Sequence, residues 1–256
     1  MNKPTVILSL ATASLIATSC AQHQYSVADV QRTRIVIDQR YDANPDSDAT
    51  AFLAPYKQKV DDIMSPVMGV AACDMPRFHP ESPLSNLLAD ILVYSSARFG
   101  EHPDFAVYNM GGIRASLSKG NVTRGDILDI APFENKICFL TLSGADVIQL
   151  FGEMAMVGGE GVSHSIRLEI SKDGKLLSAA INGKPVDPNA SYRITTIDYL
   201  AQGNDHLDAF KKKTNFVSPQ SEDNNARFLI ENYFKAMHAE GKAVEAKVEG
   251  RVSVKK

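Results

Sequence analysis

The sequence lacks a strong charge of either sign. Its 27 lysine and arginine residues nearly balance 30 aspartate and glutamate residues, which leaves a formal net charge of -3. Non-specific binding to nucleic acid needs a strong positive field, so this class of partner is not expected. Any phosphate group would have to be bound by a few placed side chains. Hydrophobic residues at 44% and charged residues at 22% are typical of an ordinary globular protein.

Tryptophan is absent and cysteine is scarce. Without tryptophan, intrinsic fluorescence is a poor reporter of ligand binding, and calorimetry is the better method. Of the three cysteines, Cys73 and Cys138 have neither a histidine nor another cysteine at metal-ligand spacing, so a zinc site is not expected. These two cysteines can form a disulfide in an oxidising compartment, or they are unlinked buried thiols, which is the interpretation we favour.

The apolar run at residues 6–16 is too short to span a bilayer as a helix. Lys3 precedes it, and small residues separate it from Cys20, an order that resembles a bacterial lipoprotein signal. We predict a signal peptide over residues 1–20, lipidation of Cys20, and a membrane-anchored lipoprotein of a bacterial cell envelope, in the periplasm or at the cell surface. The alternative is an ordinary secretory signal cleaved nearby. On either interpretation the mature chain leaves the cytoplasm.

The rest of the chain is organised as one domain that follows a polar segment. Residues 21–47 are polar and end in a loop signal, so we interpret them as a linker. Neither an internal repeat nor a second linker follows, and we predict a single domain over residues 48–254. Helical and strand patterns are mixed, with the strands clustered in hairpins. This is typical of an α+β fold with a mixed β-sheet and flanking helices.

Capping residues followed by apolar residues at helical spacing predict the helices. Four helices are predicted to begin at Asp48, Ser82, Thr123 and Ser143. Pro55 indicates a kink or a late start in the first of them, and Pro83 fits the first helical position of the second. A final helix is predicted over residues 222–239. Strands are predicted over residues 34–38, 104–108, 136–142, 165–170, 176–181, 192–197 and 248–254.

Two glycines between an asparagine and an arginine mark the first candidate site. Asn109, Gly111, Gly112 and Arg114 directly follow the strand predicted at residues 104–108. Glycines let the backbone turn sharply and approach a ligand closely. The asparagine offers a donor and an acceptor, and the arginine offers a fork of donors suited to a phosphate or a ribose hydroxyl. A purely structural turn is the alternative explanation.

Two further segments each place an aromatic ring among polar residues. Phe133 follows Pro132 and precedes a polar pair, and Tyr199 ends a predicted strand six positions before Asp205. A carboxylate in such a turn can accept hydrogen bonds from two vicinal sugar hydroxyls. The alternatives are a core phenylalanine at the edge of a loop and an Asx-turn.

These three segments together resemble the C-terminal, nucleotide-recognition domain of the 5'-nucleotidase family. The family signature is an Asn, glycines, Ile and Arg, then Pro-Phe, then an aromatic residue followed by a Gly-rich turn and Asp, in the order found here. The resemblance covers roughly residues 48–254. It extends to Asn86 and Asp90, Ser143-Gly144, and Glu249-Gly250-Arg251-Val252.

The resemblance implies a clamp for a nucleotide or nucleoside. Phe133 and Tyr199 would stack on the two faces of the base, which suits many bases because every base has a π-face. Asp205 would hold the ribose hydroxyls. Asn109 and Arg114 would contact the ribose and the phosphate side.

Two parts of the pattern depart from the family. The family has an arginine before the helix that carries Asn86, and here either Arg77 or His79 would take its place at the phosphate. The family turn Gly-Gly-Asp-Gly is replaced by Gly203-Asn204-Asp205-His206. We expect Asn204 to adopt the left-handed conformation of the missing glycine.

The metal-binding half of the family is not matched in this sequence. The motifs Asp-x-His, Gly-Asp-x-x-Asp, Gly-Asn-His-Glu and Gly-His-x-His are missing, and the six histidines are scattered. The resemblance therefore implies no catalytic residue, metal or cofactor in this chain, and divalent metals on a separate metallophosphoesterase partner. Together they would act in nucleotide catabolism as a 5'-nucleotidase or UDP-sugar hydrolase. The alternative is a non-catalytic nucleotide- or nucleoside-binding lipoprotein.

Overall fold

The computed structural model describes residues 26–255. The predicted signal peptide and the lipidation site Cys20 lie outside these residues. The chain divides into two units, residues 1–52 and residues 53–256. Within the described residues, no helix is long and apolar enough to cross a membrane.

The described part of the first unit has little regular structure before its last residues. Asp38 caps a short 3-10 turn, Gln39–Tyr41, and accepts the backbone N–H of Arg40. Residues 34–38 form no strand and are exposed, so the strand predicted there is wrong. An isolated run of apolar residues has no neighbouring strand here to complete its backbone hydrogen bonds.

Residues 26–255 contain six α-helices and eleven strands. The helices are α1 (Ser47–Met64), α2 (Pro83–Ser96), α3 (Arg124–Ile130), α4 (Gly144–Met156), α5 (Asp198–Ala201) and α6 (Ala226–Ala239). The strands are β1 (Val67–Ala71), β2 (Phe105–Tyr108), β3 (Gly120–Thr123), β4 (Ile137–Ser143), β5 (Gly161–Val162), β6 (Ile166–Ser171), β7 (Leu176–Ile181), β8 (Lys184–Pro185), β9 (Ser191–Ile197), β10 (Thr214–Val217) and β11 (Val252–Lys255).

A five-stranded mixed sheet forms the centre of the second unit, in the order β10-β4-β9-β2-β5. Strands β2 and β9 run parallel, and the other neighbours run antiparallel. A four-stranded sheet has the order β11-β6-β7-β8, with β11 parallel to β6, and β1 pairs with β3. The predicted α+β fold with a mixed sheet and flanking helices is confirmed.

The central strands are anchored in the hydrophobic core. All four residues of β2 and the first four residues of β4 are buried. Helix α2 packs on β2, and helix α4 packs on β4. Phe105 of β2 and Phe151 of α4 are fully buried, with ring centroids 5.5 Å apart. Segments that leave these strands therefore start from fixed positions.

Three helices begin at the capping residues that the sequence predicts. Ser82 caps α2, with Pro83 in the first helical position. Thr123 and Asp126 cap α3 reciprocally, each accepting the other's backbone N–H. Ser143 caps α4. A side-chain cap satisfies a helical N–H that has no partner within the helix, and it typically stabilises a helix by about 1 kcal/mol.

The first and last helices differ from the prediction. Asp46, not Asp48, caps α1, and its side chain accepts the N–H groups of Asp48 and Ala49. The helix continues through Pro55. Because α1 has no buried residue, water can bond to the carbonyl that proline leaves without a donor. At the other end, Glu222–Asn224 forms a separate 3-10 turn before α6 starts.

Strands β1, β3 and β10 are not evident from the sequence. Strand β10 is exposed throughout, and Val122 is the one buried residue of β3, so neither has the alternating pattern typical of a strand. Strand β1 contains Gly69, where a Cβ would lie 2.9 Å from the carbonyl oxygen of Phe234. The glycine thus lets α6 pack closely on β1, a reason that only the fold reveals.

The two described cysteines are not linked. Cys138 is buried in β4, and Cys73 is half-buried. Burial raises the pKa of the Cys138 thiol, which keeps this side chain protonated at neutral pH. Both therefore act as ordinary packing residues.

Buried polar contacts fasten the end of the chain to helix α2. The Arg251 guanidinium donates to both carboxylate oxygens of Asp90, at 2.9 and 2.7 Å, and to Glu249 at 3.0 Å. Glu81 is also buried and accepts from the Asn86 side chain at 2.6 Å and from the Glu249 N–H at 2.7 Å. These contacts join α2 to the segment that leads into β11.

A second buried carboxylate holds the segment that follows β2. Glu160 is 4% exposed and accepts the backbone N–H of Met110. Burial raises the pKa of Glu160 to about 7, the N–H of Met110 opposes this rise, Asp205 adds to it, and Arg77 opposes it. Since the neutral acid is favoured in the fold, the Glu160 proton is linked to stability.

Replacing Arg251 should destabilise the protein much more than replacing a surface lysine on the strand that follows it. Arg251→Ala removes the guanidinium from Asp90 and Glu249, and we expect a loss of about 2–4 kcal/mol in the free energy of unfolding, since both carboxylates are partly exposed. The control is Lys255→Ala, which removes an exposed pair with Glu169 and should cost about 0.5 kcal/mol or less. Urea unfolding measures both. Equal losses would contradict the role given to Arg251.

Glu160→Gln should remove a pH dependence of stability. The pKa of Glu160 rises from 4.5 to about 7 on folding, so its contribution is fully present below pH 4.5 and is lost as the pH rises through 7. Relative to the variant, the wild type should lose on the order of 3 kcal/mol over this range. The exposed Glu134→Gln serves as the control and should show no such difference. Parallel curves for Glu160→Gln and wild type would exclude the linkage.

Candidate functional site

Three segments meet at one edge of the central sheet. Strand β2 ends at Tyr108 and its parallel neighbour β9 ends at Ile197, so both strands end at the same edge. Strand β4 runs antiparallel to β9 and starts there, with Ile137 paired to Ile197. The residues that follow β2, follow β9 and precede β4 are therefore neighbours in space.

A cavity of about 300 Å³ lies where these segments meet. This volume is at the lower end of the range found for small-molecule sites. The lining residues are Asn109, Gly111, Gly112, Arg114, Phe133, Asn135, Tyr199 and Asp205. Seven of these eight are the residues that the sequence singles out, and Asn135 is the addition. The structure thus brings together three segments that are far apart in the chain.

Both aromatic rings of the cavity are accessible. Phe133 is 50% exposed and Tyr199 is 37% exposed. Within residues 26–255, neither ring stacks on another aromatic side chain. The interpretation of Phe133 as a core residue is therefore wrong, and each ring has a face available for a planar ligand.

The carboxylate of Asp205 is held by two side chains. The Tyr199 hydroxyl donates to Oδ1 of Asp205 at 2.8 Å, and Nδ2 of Asn109 donates to Oδ2 at 2.8 Å. The hydrogen bond to Asp205 raises the pKa of Tyr199, because only the neutral phenol can donate it, and burial and the negative charge of Asp205 raise the pKa further. Asn109 is 4% exposed, and a Cβ at Gly112 would clash with its Oδ1. Glycine at 112 thus leaves room for the side chain that orients Asp205.

The turn that carries Asp205 has an unusual backbone. Gly203, Asp205 and His206 have φ angles of +84°, +56° and +63°. The left-handed residue expected at Asn204 is therefore misplaced, since Asn204 instead donates through its side chain to the carbonyl of Tyr199 at 2.8 Å. Left-handed backbone costs roughly 1–2 kcal/mol for a residue with a Cβ. Such strain is typical of functional sites, where surrounding contacts compensate for it.

The cationic side chains lie on either side of Asp205. Arg114 lines the first cavity and donates to the carbonyl of Gly111 at 3.2 Å. Arg77 and His79 line a second cavity of about 600 Å³, which shares Gly111 and Asp205 with the first. Nε of Arg77 donates to the carbonyl of Met110 at 3.0 Å, which fixes the guanidinium beside the turn. His79 instead has Nδ1 3.1 Å from the carbonyl oxygen of Gly159.

Several residues near the candidate site are not evident from the sequence. The second cavity is also lined by Glu160, His206 and Lys211, and Lys211 is paired with Asp208 at 2.6 Å. A lone acidic residue between glycines gives no sequence signal of burial, so Glu160 could not be found from its local context. Asn135 lies two residues after Phe133, and its proximity to the ring is the one available clue.

The residues that the structure describes do not fit a metal centre. Among residues 26–255, no group of three or more His, Cys, Asp or Glu side chains is arranged to hold a metal ion. Asn204, Asp205 and His206 adjoin in sequence, but Asp205 is bonded to Tyr199 and Asn109.

Known proteins from other bacteria are similar in sequence to part of this chain. Protein UshA of Escherichia coli (strain K12) is 32% identical over 118 residues, which is 45% of this chain and 22% of UshA. Endonuclease YhcR of Bacillus subtilis is 32% identical over 166 residues, 61% of this chain and 13% of YhcR. The chain thus spans less than a quarter of the length of these relatives.

A solved structure gives the same fold. The 5'-nucleotidase precursor from Thermus thermophilus superposes with a TM-score of 0.69 at 26% identity, over 80% of this chain and 43% of that chain. The sequence model of the family described as 5'-nucleotidase, C-terminal domain, matches residues 67–212, more than half of this chain. The match includes every segment that lines the 300 Å³ cavity. The chain belongs to the 5'-nucleotidase C-terminal domain family.

Proposed function

We propose that this domain recognises the nucleoside part of a nucleotide. The observation that carries the proposal is that two accessible aromatic rings and a carboxylate line one small cavity. A base offers two flat faces to aromatic rings, and a ribose offers two adjacent hydroxyls to a carboxylate. The Thermus relative, named a 5'-nucleotidase precursor, supports a nucleotide as the ligand.

In the proposed complex, Phe133 and Tyr199 stack on the base and Asp205 accepts the ribose hydroxyls. Stacking on an aromatic side chain contributes about 1–3 kcal/mol per base and discriminates weakly among bases. Asn109 keeps Asp205 oriented, and the backbone at Gly111 and Gly112 approaches the sugar closely.

The phosphate side of the ligand would meet Arg114 and Arg77. Arg114 lines the ring cavity, whereas Arg77 and His79 line the cavity on the other side of Asp205. Arg77 is favoured over His79 for this role because a guanidinium stays charged and its remaining nitrogens can donate to a phosphate as a fork. With a net charge of -3 the chain offers no general attraction for anions, so these contacts would decide phosphate affinity.

We further propose that hydrolysis is carried out by a separate metallophosphoesterase chain and that the protein is exported and anchored through a lipid at Cys20. Two observations support a partner: the sequence has none of the metal motifs of the family's other domain, and residues 26–255 do not group metal ligands. Bound divalent metals would activate water and polarise the phosphoryl oxygens. A binding protein without hydrolysis is the alternative outcome.

Removing either ring should weaken ligand binding without loss of the fold. We expect Phe133→Ala and Tyr199→Ala each to reduce the affinity for adenosine by about 1–3 kcal/mol, measured by titration calorimetry. The control is Phe216→Ala on β10, which removes a ring of similar exposure that does not line the cavity. If the double variant binds adenosine as tightly as wild type does, the clamp does not exist.

The partner proposal is tested with protein purified from detergent-extracted cell membranes. We expect a metal-dependent phosphoesterase to co-purify and to release phosphate from AMP, with a KM raised on the order of tenfold by Phe133→Ala. The purified chain alone, with added divalent metal, should not hydrolyse AMP. Hydrolysis by the isolated chain would refute the separate-chain proposal. Recovery of the protein in the cytoplasmic fraction would refute export.

A further inference from the structure

Protein donors already engage both carboxylate oxygens of Asp205. Oδ1 accepts from the Tyr199 hydroxyl and Oδ2 from Nδ2 of Asn109, each at 2.8 Å. If Asp205 receives the hydroxyls of a sugar, as proposed above, those hydroxyls arrive at a carboxylate on which each oxygen already accepts one protein hydrogen bond. If a sugar hydroxyl displaces one of these two protein donors, the cost of that displacement affects which ligands bind tightly.

The two protein donors differ in how easily a ligand can displace them. Asn109 is almost completely buried, and its side chain packs against the backbone of Gly112 so closely that a Cβ there would clash with it. Tyr199 is more than one third exposed and belongs to the four-residue helix α5. A displaced tyrosine hydroxyl can bond to water, whereas a displaced Asn109 amide would lose its partner in a buried place, which is costly. The Tyr199 hydroxyl is therefore the donor that can leave.

Other polar groups near Asp205 do not take over this position. Arg77, His206 and Lys211 line the second cavity together with Asp205, but within residues 26–255 only Asn109 and Tyr199 donate to its carboxylate. Arg77 donates to the carbonyl of Met110. The contact between Tyr199 and Asp205 thus decides how Oδ1 is occupied in the absence of ligand.

We propose that the Tyr199 hydroxyl is a placeholder for a sugar hydroxyl and lowers the preference of the site for ligands with an intact ribose. This inference rests on the proposed nucleoside recognition. A ribonucleoside whose hydroxyl takes the position of the Tyr199 hydroxyl exchanges the tyrosine hydrogen bond for its own, so its binding gains only the difference between the two hydrogen bonds. A ligand without these hydroxyls leaves the Tyr199–Asp205 bond in place and loses nothing. The hydroxyl thereby reduces the difference in affinity between ligands with an intact ribose and ligands without these hydroxyls.

The proposal assigns two separate roles to one side chain. The ring of Tyr199 stacks on the base, and this role does not need the hydroxyl. The hydroxyl competes with the sugar, and this role does not need stacking. Tyr199→Phe separates the two because it keeps the ring and leaves Oδ1 of Asp205 to water, which a sugar hydroxyl displaces more easily.

The test compares adenosine with 2',3'-dideoxyadenosine by titration calorimetry, in wild type and in Tyr199→Phe. Since a hydrogen bond to a charged group contributes about 1.5 kcal/mol or more, we expect Tyr199→Phe to bind adenosine roughly tenfold more tightly. The affinity for the dideoxynucleoside should change much less. In an Asp205→Ala background, Tyr199→Phe should no longer change the ratio of the two affinities.

Two results would overturn the proposal that the Tyr199 hydroxyl occupies the position of a sugar hydroxyl. One is weaker adenosine binding by Tyr199→Phe, which would mean that the hydroxyl holds Asp205 in place for the sugar. The other is an equal change for both ligands, which would assign the effect to stacking. Phe133→Ala is the control for the site itself and should weaken both ligands. If wild type binds neither ligand, the proposed nucleoside recognition fails, and that result differs from either of the two above.

Discussion

The parallel pairing of β2 with β9, beside the antiparallel strand β4, is the constraint on which the candidate site depends. It brings Asn109, Phe133 and Tyr199 to one edge of a sheet whose central strands are buried. Rigid strands fix the start of each loop, so the loops can carry exposed rings and a strained turn without losing their positions. Core packing, including the contact of Phe105 with Phe151, thus holds the strands in place and thereby fixes where the site residues lie.

Strain and compensation are concentrated at Asp205. Its backbone and that of His206 are left-handed, although neither is glycine, and this chain has His206 where the family has glycine. Two hydrogen bonds to the carboxylate and one from Asn204 to Tyr199 hold the turn in this conformation. The Tyr199 hydroxyl makes one of these contacts, and it is the one that lies where the sugar is proposed to bind. The contacts from Asn109 and Asn204 do not depend on that hydroxyl.

The sequence could predict elements with local signals and failed where the cause is distant in the chain. Ser82, Thr123 and Ser143 are predicted correctly because a helix cap is set by neighbours within four residues. Strand β1 is missed because Gly69 is explained only by the approach of α6. The seven cavity residues follow from the resemblance to a family, since composition and periodicity alone favour structural explanations for each segment. Neither the burial of Glu160 nor the contact between Tyr199 and Asp205 could follow, because both depend on how distant segments meet.

Separation of recognition from chemistry is physically reasonable for the proposed ligand. Stacking on a base and hydrogen bonds to a ribose are the same before and during cleavage of a phosphate bond, so they supply uniform binding and need not lie beside the metals. Two stacked rings contribute about 1–3 kcal/mol each and one hydrogen bond to a charged group about 1.5–3 kcal/mol, and the freedom lost on association offsets much of this sum. Moderate affinity allows rapid release of the nucleoside that the proposed hydrolysis would leave. In the proposed hydrolysis with a partner chain, a domain that held the nucleoside much more tightly would retain the product and slow the next turnover, so the competition proposed for Tyr199 would favour release as well as altering specificity.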